Sequence, residues 1–166
     1  MEAMEAILGR RSIRSYQARE VPEEVLNQVL QAGRWAPSAS NFQPCKFIVV
    51  RDPKVKGDLA RTATYGKFLT EAPLAIAVVV DPWSSNHPVE DGAAATLNML
   101  LAAYAMGLGS CWIGVYNSSY EDKARKVLGI PDDRRLLSII ALGYAAESPG
   151  SSRVELAQLV CYERYS

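Results

Sequence analysis

The sequence predicts an α+β fold of three layers, α/β/α, in which helices cover both faces of one sheet. Three observations carry this. Helix-like and strand-like segments alternate along the chain. Residues Leu74 to Val80 are apolar at every position, as in a strand buried on both faces. No charged residue occurs between Asp91 and Glu121, so the middle of the chain belongs inside. At 166 residues the chain has the size of one domain with a real core, and a single domain over 1–166 is expected.

A short helix is expected around residues 2–9. A second starts at Val21-Pro22-Glu23-Glu24, because proline followed by acids favours a first turn. Its apolar residues Val25, Leu26, Val29 and Leu30 recur at helical spacing until Ala36-Pro37 stops it. Pro37 to Pro44 has no periodicity and reads as a loop. Phe47-Ile48-Val49-Val50 is a buried strand, and Asp52-Pro53 opens a helix to about Ala63. Asp81-Pro82 closes the strand that starts at Leu74.

Ala93 to Met106 reads as a helix apolar nearly all round, and so buried on every side. A membrane span needs about 20 mostly apolar residues, whereas Thr96 and Asn98 interrupt this stretch and Gly107-Leu108-Gly109 ends it. Burial on every side in so small a domain calls for cover from outside, and a partner subunit is the simplest source. Ser110 to Val115 is a strand. Ser118 and Glu121 stand at capping-box spacing for a helix that ends at Leu128-Gly129-Ile130-Pro131. Leu136 to Leu142 is the last strand. The apolar tail Val154 to Val160 follows a Gly, Ser and Pro-rich stretch and would be satisfied as an arm laid on a neighbour.

Lysine plus arginine equals aspartate plus glutamate at 18 each, so no overall field favours a nucleic acid or an anionic membrane, and neither is expected as a partner. Cys45, Cys111 and Cys161 lie far apart without CxxC spacing, and His87 is the one histidine. That argues against a disulfide framework or a metal site and leaves a Ser-His or Cys-His nucleophile dependent on one imidazole. The start Met1-Glu2-Ala3-Met4-Glu5 lacks the features of a secretory signal, and a cytoplasmic location is expected.

Arg10, Arg11, Ser12 and Arg14 gather guanidinium forks and a hydroxyl at one turn, a set suited to gripping a phosphate. Taken alone, such a cluster also fits a solvated basic turn. Other phosphate cradles fail. Gly107-Leu108-Gly109-Ser110 lacks the third glycine of a dinucleotide fingerprint and follows a helix, and Gly66-Lys67-Phe68 lacks the rest of a Walker loop. The loop residues Ser38, Ser40, Asn41 and Gln43 offer hydroxyls and amides for the edge of a flat heterocycle, or equally for a plain polar loop. No carboxylate pair stands out as general acid and base, which favours a bound cofactor carrying the chemistry.

Together the pieces resemble the FMN-dependent nitroreductase family. The residues are Arg10-Arg11-Ser12-Ile13-Arg14-Ser15-Tyr16, then Ala36-Pro37-Ser38-Ala39-Ser40-Asn41-Phe42-Gln43-Pro44, then Asn98 to Ala102 with Gly107-Leu108-Gly109-Ser110-Cys111-Trp112-Ile113-Gly114, then Leu142-Gly143-Tyr144, and Arg153 ahead of a closing helix. They stand in family order over nearly the whole chain. The resemblance implies a mixed central sheet flanked by helices and an intertwined homodimer with FMN at the subunit interface. Arg10, Arg11, Ser12 and Arg153 would hold the phosphate and ribityl chain, with Arg14 near the pyrimidine edge, where positive charge favours negative charge on the ring. Pro37, Ser38, Ala39, Asn41 and Gln43 would come from the other subunit, while Trp112, Ile113 and Gly114 would back the ring and offer amides to it. Phe42 and Tyr65 are expected as substrate-pocket walls. The activity implied is hydride transfer from NAD(P)H to the flavin and on to a small flat acceptor such as a nitroaromatic or quinone, by ping-pong kinetics. A flavin-binding protein without turnover shares the same contacts.

Overall fold

In the computed structural model, which describes residues 2–63 and 66–165, the strands are Cys45–Val50 (β1), Leu74–Val80 (β2), Gly109–Gly114 (β3) and Arg135–Gly143 (β4). They form one sheet in the order β1-β2-β4-β3. The helices are Ala3–Gly9 (α1), Glu23–Arg34 (α2), Pro53–Thr62 (α3), Pro88–Ala105 (α4) and Glu121–Leu128 (α5).

Alternation along β2 builds the layers. Leu74, Ile76, Val78 and Val80 pack with Leu26 and Val29 of α2 and Met99, Leu100 and Ala103 of α4. Ala75, Ala77 and Val79 point the other way, into a cluster with Leu59 of α3 and Ala124 of α5. Every β2 residue is buried, and each large apolar side chain so enclosed contributes about 1.5–3 kcal/mol. The three-layer expectation holds.

α4 lies unusually close to the sheet because Gly92 has no side chain. A Cβ there would come within 2.6 Å of Leu137 Cδ2 and 2.7 Å of Val80 Cγ1. A register shift at Val78/Val79 inserts Leu137 as an extra residue in β4, so both Leu137 and Ser138 face α4. The buried Ser138 hydroxyl then meets that of Thr96 at 2.9 Å, and Thr96 also donates to the Gly92 carbonyl at 2.7 Å. A polar pair is thereby satisfied inside the layer.

Several expectations are corrected. The sheet is not mixed: every ladder between the named strands is antiparallel. The parallel pairing among the described residues is an isolated bridge between Ser12 and Ser110. Alternation of helices and strands does not set direction. Here α3 returns the chain to the end of the sheet where β1 stopped, so Val50 pairs with Ala75 and β2 runs back.

Within the single chain α4 leaves one face open, on a helix for which cover from outside is expected. Leu97 is 46 % exposed, and Leu101 and Ala105 continue an open stripe on its outer face.

The capping box does not form. Glu121 instead accepts from the Asn117 amide at 2.8 Å and from Arg135, and Ser118 Oγ has no hydrogen-bond partner among the described residues. Burial would raise the Glu121 carboxyl, but Arg135 and the Asn117 and Leu136 amides outweigh it and hold the group below its ordinary range. The closing helix is a single turn, Leu156–Gln158, in an exposed tail.

Candidate functional site

The arginine turn is laid against the edge of the sheet. Ile13 donates its amide to the Ser110 carbonyl at 2.9 Å, and farther on Ala146 donates to Ser15 and Gln17 to Tyr144, each at 2.9 Å. Ile13 itself is buried, and a Cβ on Gly109 would sit 2.9 Å from it, so the contact needs glycine there. Inside the turn the Tyr16 hydroxyl lies 2.6 Å from the Ile13 carbonyl and 3.3 Å from that of Ala141. Burial pushes this phenol far up, which keeps it a donor. The Glu147 carboxylate accepts from the amides of Arg14 and Ser15, the latter at 3.1 Å.

These contacts leave a cleft of about 260 Å³ lined by Arg10, Arg11, Tyr104, Ser110 and Glu147 among others. Ser110 is 2 % exposed, and its hydroxyl has no hydrogen-bond partner among the described residues. An orphaned buried hydroxyl beside arginines fits a polar anionic group. In the sequence Ser110 stands only as part of a failed glycine motif, because its place beside the arginine turn comes from the bridge to Ser12.

The same edge offers amides. Because the Ser110 carbonyl points outward to Ile13, strand alternation also points the amides of Trp112 and Gly114 outward, away from β4. The Ile113 amide points toward β4 and its side chain is buried, so Ile113 is corrected from an amide donor to a core residue. Trp112 stands half-exposed above this edge. Beneath it the Cys111 thiol is buried, and burial pushes it up, which makes it a packing residue.

The arginines are not equivalent. Arg11 donates to the carbonyls of Leu8 at 2.7 Å and Arg10 at 2.9 Å, closing the end of α1. The Arg10 guanidinium makes no hydrogen bond or ion pair among the described residues, and Arg10 lines the cleft, as the stronger anion ligand would. Arg14 holds its guanidinium 5.9 Å from the Phe68 ring centre. Arg153 lies in the exposed tail beside Ser151 and Ser152, and is not among the residues of the cleft.

The second wall lies elsewhere. The loop from Pro37 to Pro44 contains one turn, Ala39–Asn41, and places Ser40, Asn41 and Gln43 at φ of 46°, 58° and 53°. Ser38 Oγ accepts the Gln43 amide at 2.9 Å, and Ala39 donates its amide to Asp91 Oδ1 at 2.8 Å. Asp91 is in the first turn of α4, while Gly9 abuts Tyr104 in its last. At 1.5 Å per residue those points are about 20 Å apart along the helix. The structure therefore brings Arg10 and Arg11 together with Ser110 at one cleft, bridges Ser12 to Ser110, and continues the same strand to Trp112 and Gly114, while Arg14 turns to Phe68. It keeps Pro37, Ser38, Ala39, Asn41 and Gln43 with exposed Phe42 apart from them. Tyr65 lies outside the described residues.

Comparison with known proteins places the chain among its relatives. The Nitroreductase family profile matches residues 7–67 and 57–144. A protein of Archaeoglobus fulgidus provisionally named NADH dehydrogenase/NAD(P)H nitroreductase is 43% identical over 148 residues, 86% of this chain and 85% of its own. An FMN-dependent nitroreductase of Clostridium difficile superposes with a TM-score of 0.92 at 32% identity, covering 98% of this chain and 99% of that one. A provisionally named nitroreductase of Desulfovibrio desulfuricans, solved in complex with FMN, superposes at 0.88 with 34% identity over 100% and 99% of the two chains. An arginine turn held at a sheet edge, a polar loop at the far end of α4 and a match over most of the sequence have one common source: the chain belongs to the nitroreductase family.

Proposed function

We propose that the protein is an NAD(P)H-dependent FMN oxidoreductase that reduces a nitroaromatic, a quinone or a similar flat acceptor. The observation that carries this is the joint presence, along one open edge, of Arg10, the orphaned Ser110 hydroxyl and the outward amides of Trp112 and Gly114. FMN, when bound, supplies a ring that takes hydride from a nicotinamide and passes electrons to an acceptor. Arg10, Ser12 and Ser110 hold the phosphate and ribityl end, with Arg11 and Arg153 adding positive charge. Trp112 and Gly114 donate amides toward the ring, and Arg14 sets a positive charge near its pyrimidine edge. Donor and acceptor use the same face in turn, which gives ping-pong kinetics.

The second wall comes from another copy of the chain. Within one chain the loop with Pro37, Ser38, Ala39, Asn41 and Gln43 sits about 20 Å along α4 from the arginine turn. The open apolar stripe of α4, with the exposed Val154, Leu156 and Leu159 of the tail, supplies surface for a homodimer. Phe42 then walls the acceptor pocket. No helix among the described residues is long and apolar enough to cross a membrane.

The test is spectroscopic. Purified protein is expected to carry flavin, to bleach with NADH or NADPH, and to recover on adding a quinone. A protein that ignores added FMN contradicts the reading. Bound FMN that dithionite reduces but neither nicotinamide does would establish a flavin-binding protein without turnover instead.

A further inference from the structure

The loop of residues 38–43 is strained, and packing does not explain how it keeps its shape. Ser40, Asn41 and Gln43 all adopt the left-handed backbone conformation that L side chains disfavour. Behind the loop, between α2 and α4, lies a hollow of about 160 Å³ lined by Gly33, Pro37, Ser38, Asp91 and Ala95 among others. A loop over a hollow lacks the dense contacts that fix core segments.

What ties it down is polar. Asp91 is 5 % exposed, and among the described residues it has no paired lysine, arginine or histidine. Its Oδ1 accepts the Ala39 amide at 2.8 Å, and its Oδ2 accepts the Ser85 hydroxyl at 2.5 Å. Ser85, also buried, in turn accepts the His87 amide at 3.0 Å, just before α4. A buried carboxylate without a cation is costly unless its hydrogen bonds are well made. Here both oxygens are used, one on the loop and one on the segment that starts α4. Its place in the first helical turn adds the favourable end of the helix dipole.

We infer that Asp91, oriented by Ser85, is the positioning residue that holds the strained 38–43 loop in the shape with which it meets the flavin. This rests on the flavin reading above. Both oxygens of Asp91 are already engaged, by the Ala39 amide and the Ser85 hydroxyl. It acts through the Ala39 amide, and so through the hydroxyl and amide groups of Ser38, Asn41 and Gln43.

The experiment combines hydrogen exchange by mass spectrometry, with and without FMN, and FMN titration of the full-length wild-type, Asp91→Ala, Asp91→Asn and Ser85→Ala proteins. Asp91→Ala is expected to speed exchange in the peptide containing Ala39 at least tenfold and to weaken FMN binding at least tenfold. Asp91→Asn keeps an oxygen for the Ala39 amide and should recover most of both. Ser85→Ala should show the same pattern at a few-fold, and serves if Asp91→Ala does not fold. Unchanged exchange at Ala39 in both Asp91→Ala and Ser85→Ala overturns the inference, as does an Asp91→Asn protein no better than Asp91→Ala. Wild-type protein that fails to bind FMN while Ala39 exchange still responds to Asp91 overturns the flavin reading and leaves the anchor standing.

Discussion

The arginine turn and the 37–44 loop both present polar groups, and they are held in place by opposite means. The turn borrows order from the sheet. Its backbone is bridged to β3 and to the segment after β4, Tyr16 fills the space beneath it, and no residue in it takes a positive φ. The loop borrows almost nothing from the sheet and holds three left-handed residues over a hollow, with Asp91 as its tie. A phosphate needs charge and a hydroxyl at a fixed point, which an extended strand edge supplies. The edge of a heterocycle needs donors and acceptors at set angles, which a contorted loop can give and a regular element cannot. The two walls also sit at opposite ends of α4, so on the proposed reading one chain holds two half-sites.

Substitutions can break either half separately. The largest effect is expected at Arg10, where alanine removes a charge-assisted bond of about 1.5–3 kcal/mol, a loss of roughly 10- to 150-fold in FMN affinity by titration. Arg11→Ala should cost less flavin binding, because its guanidinium already serves the Leu8 and Arg10 carbonyls. Equal losses at both positions would remove that distinction. Gly109→Ala should push Ile13 off the edge, costing about 1–3 kcal/mol in chemical denaturation and weakening flavin without touching the loop.

On the other wall, Ser38→Ala removes the acceptor of the Gln43 amide and should cost about 1 kcal/mol of stability with a modest loss of flavin.

The smallest effect on either wall is expected from Glu121, which ties α5 to β4 and lines neither the cleft nor the hollow behind the loop. Its carboxyl is held below the ordinary value of 4.5, so its contribution is complete above about that pH and is lost as pH falls through the lower folded value. Acid titration followed by tryptophan fluorescence should show stability falling there. In Glu121→Gln that component of the pH dependence should disappear, with FMN affinity at neutral pH unchanged.

The two walls were not equally legible in the sequence. The arginine turn announced itself because three guanidiniums in five residues serve no core, and the strands announced themselves through unbroken apolar runs such as 74–80. Strand direction was not legible, since it depends on which end of the sheet a helix returns to. The role of Ser110 depends on a bridge to Ser12, nearly one hundred residues away. That of Asp91 depends on a contact with Ala39 across 52 positions. The difference between Arg10 and Arg11 lies in side-chain direction at the end of a helix, which spacing alone does not encode. The open stripe of α4 was legible only in part. Composition shows that a face is apolar, and only the packing shows that its cover is absent from the single chain.

The central claim is that each site takes one wall from each of two chains, and subunit mixing tests it most directly. One chain would carry Arg10→Ala and the other Ser38→Ala, Asn41→Ala and Gln43→Ala together, with different tags so that the heterodimer is isolated. Each homodimer has one wall broken in both sites. In the heterodimer, shared sites would give one site with both walls intact and one with both broken, so about one tightly bound FMN per dimer is predicted. A heterodimer that binds FMN no better than its two parents would place both walls in the same chain and contradict the account.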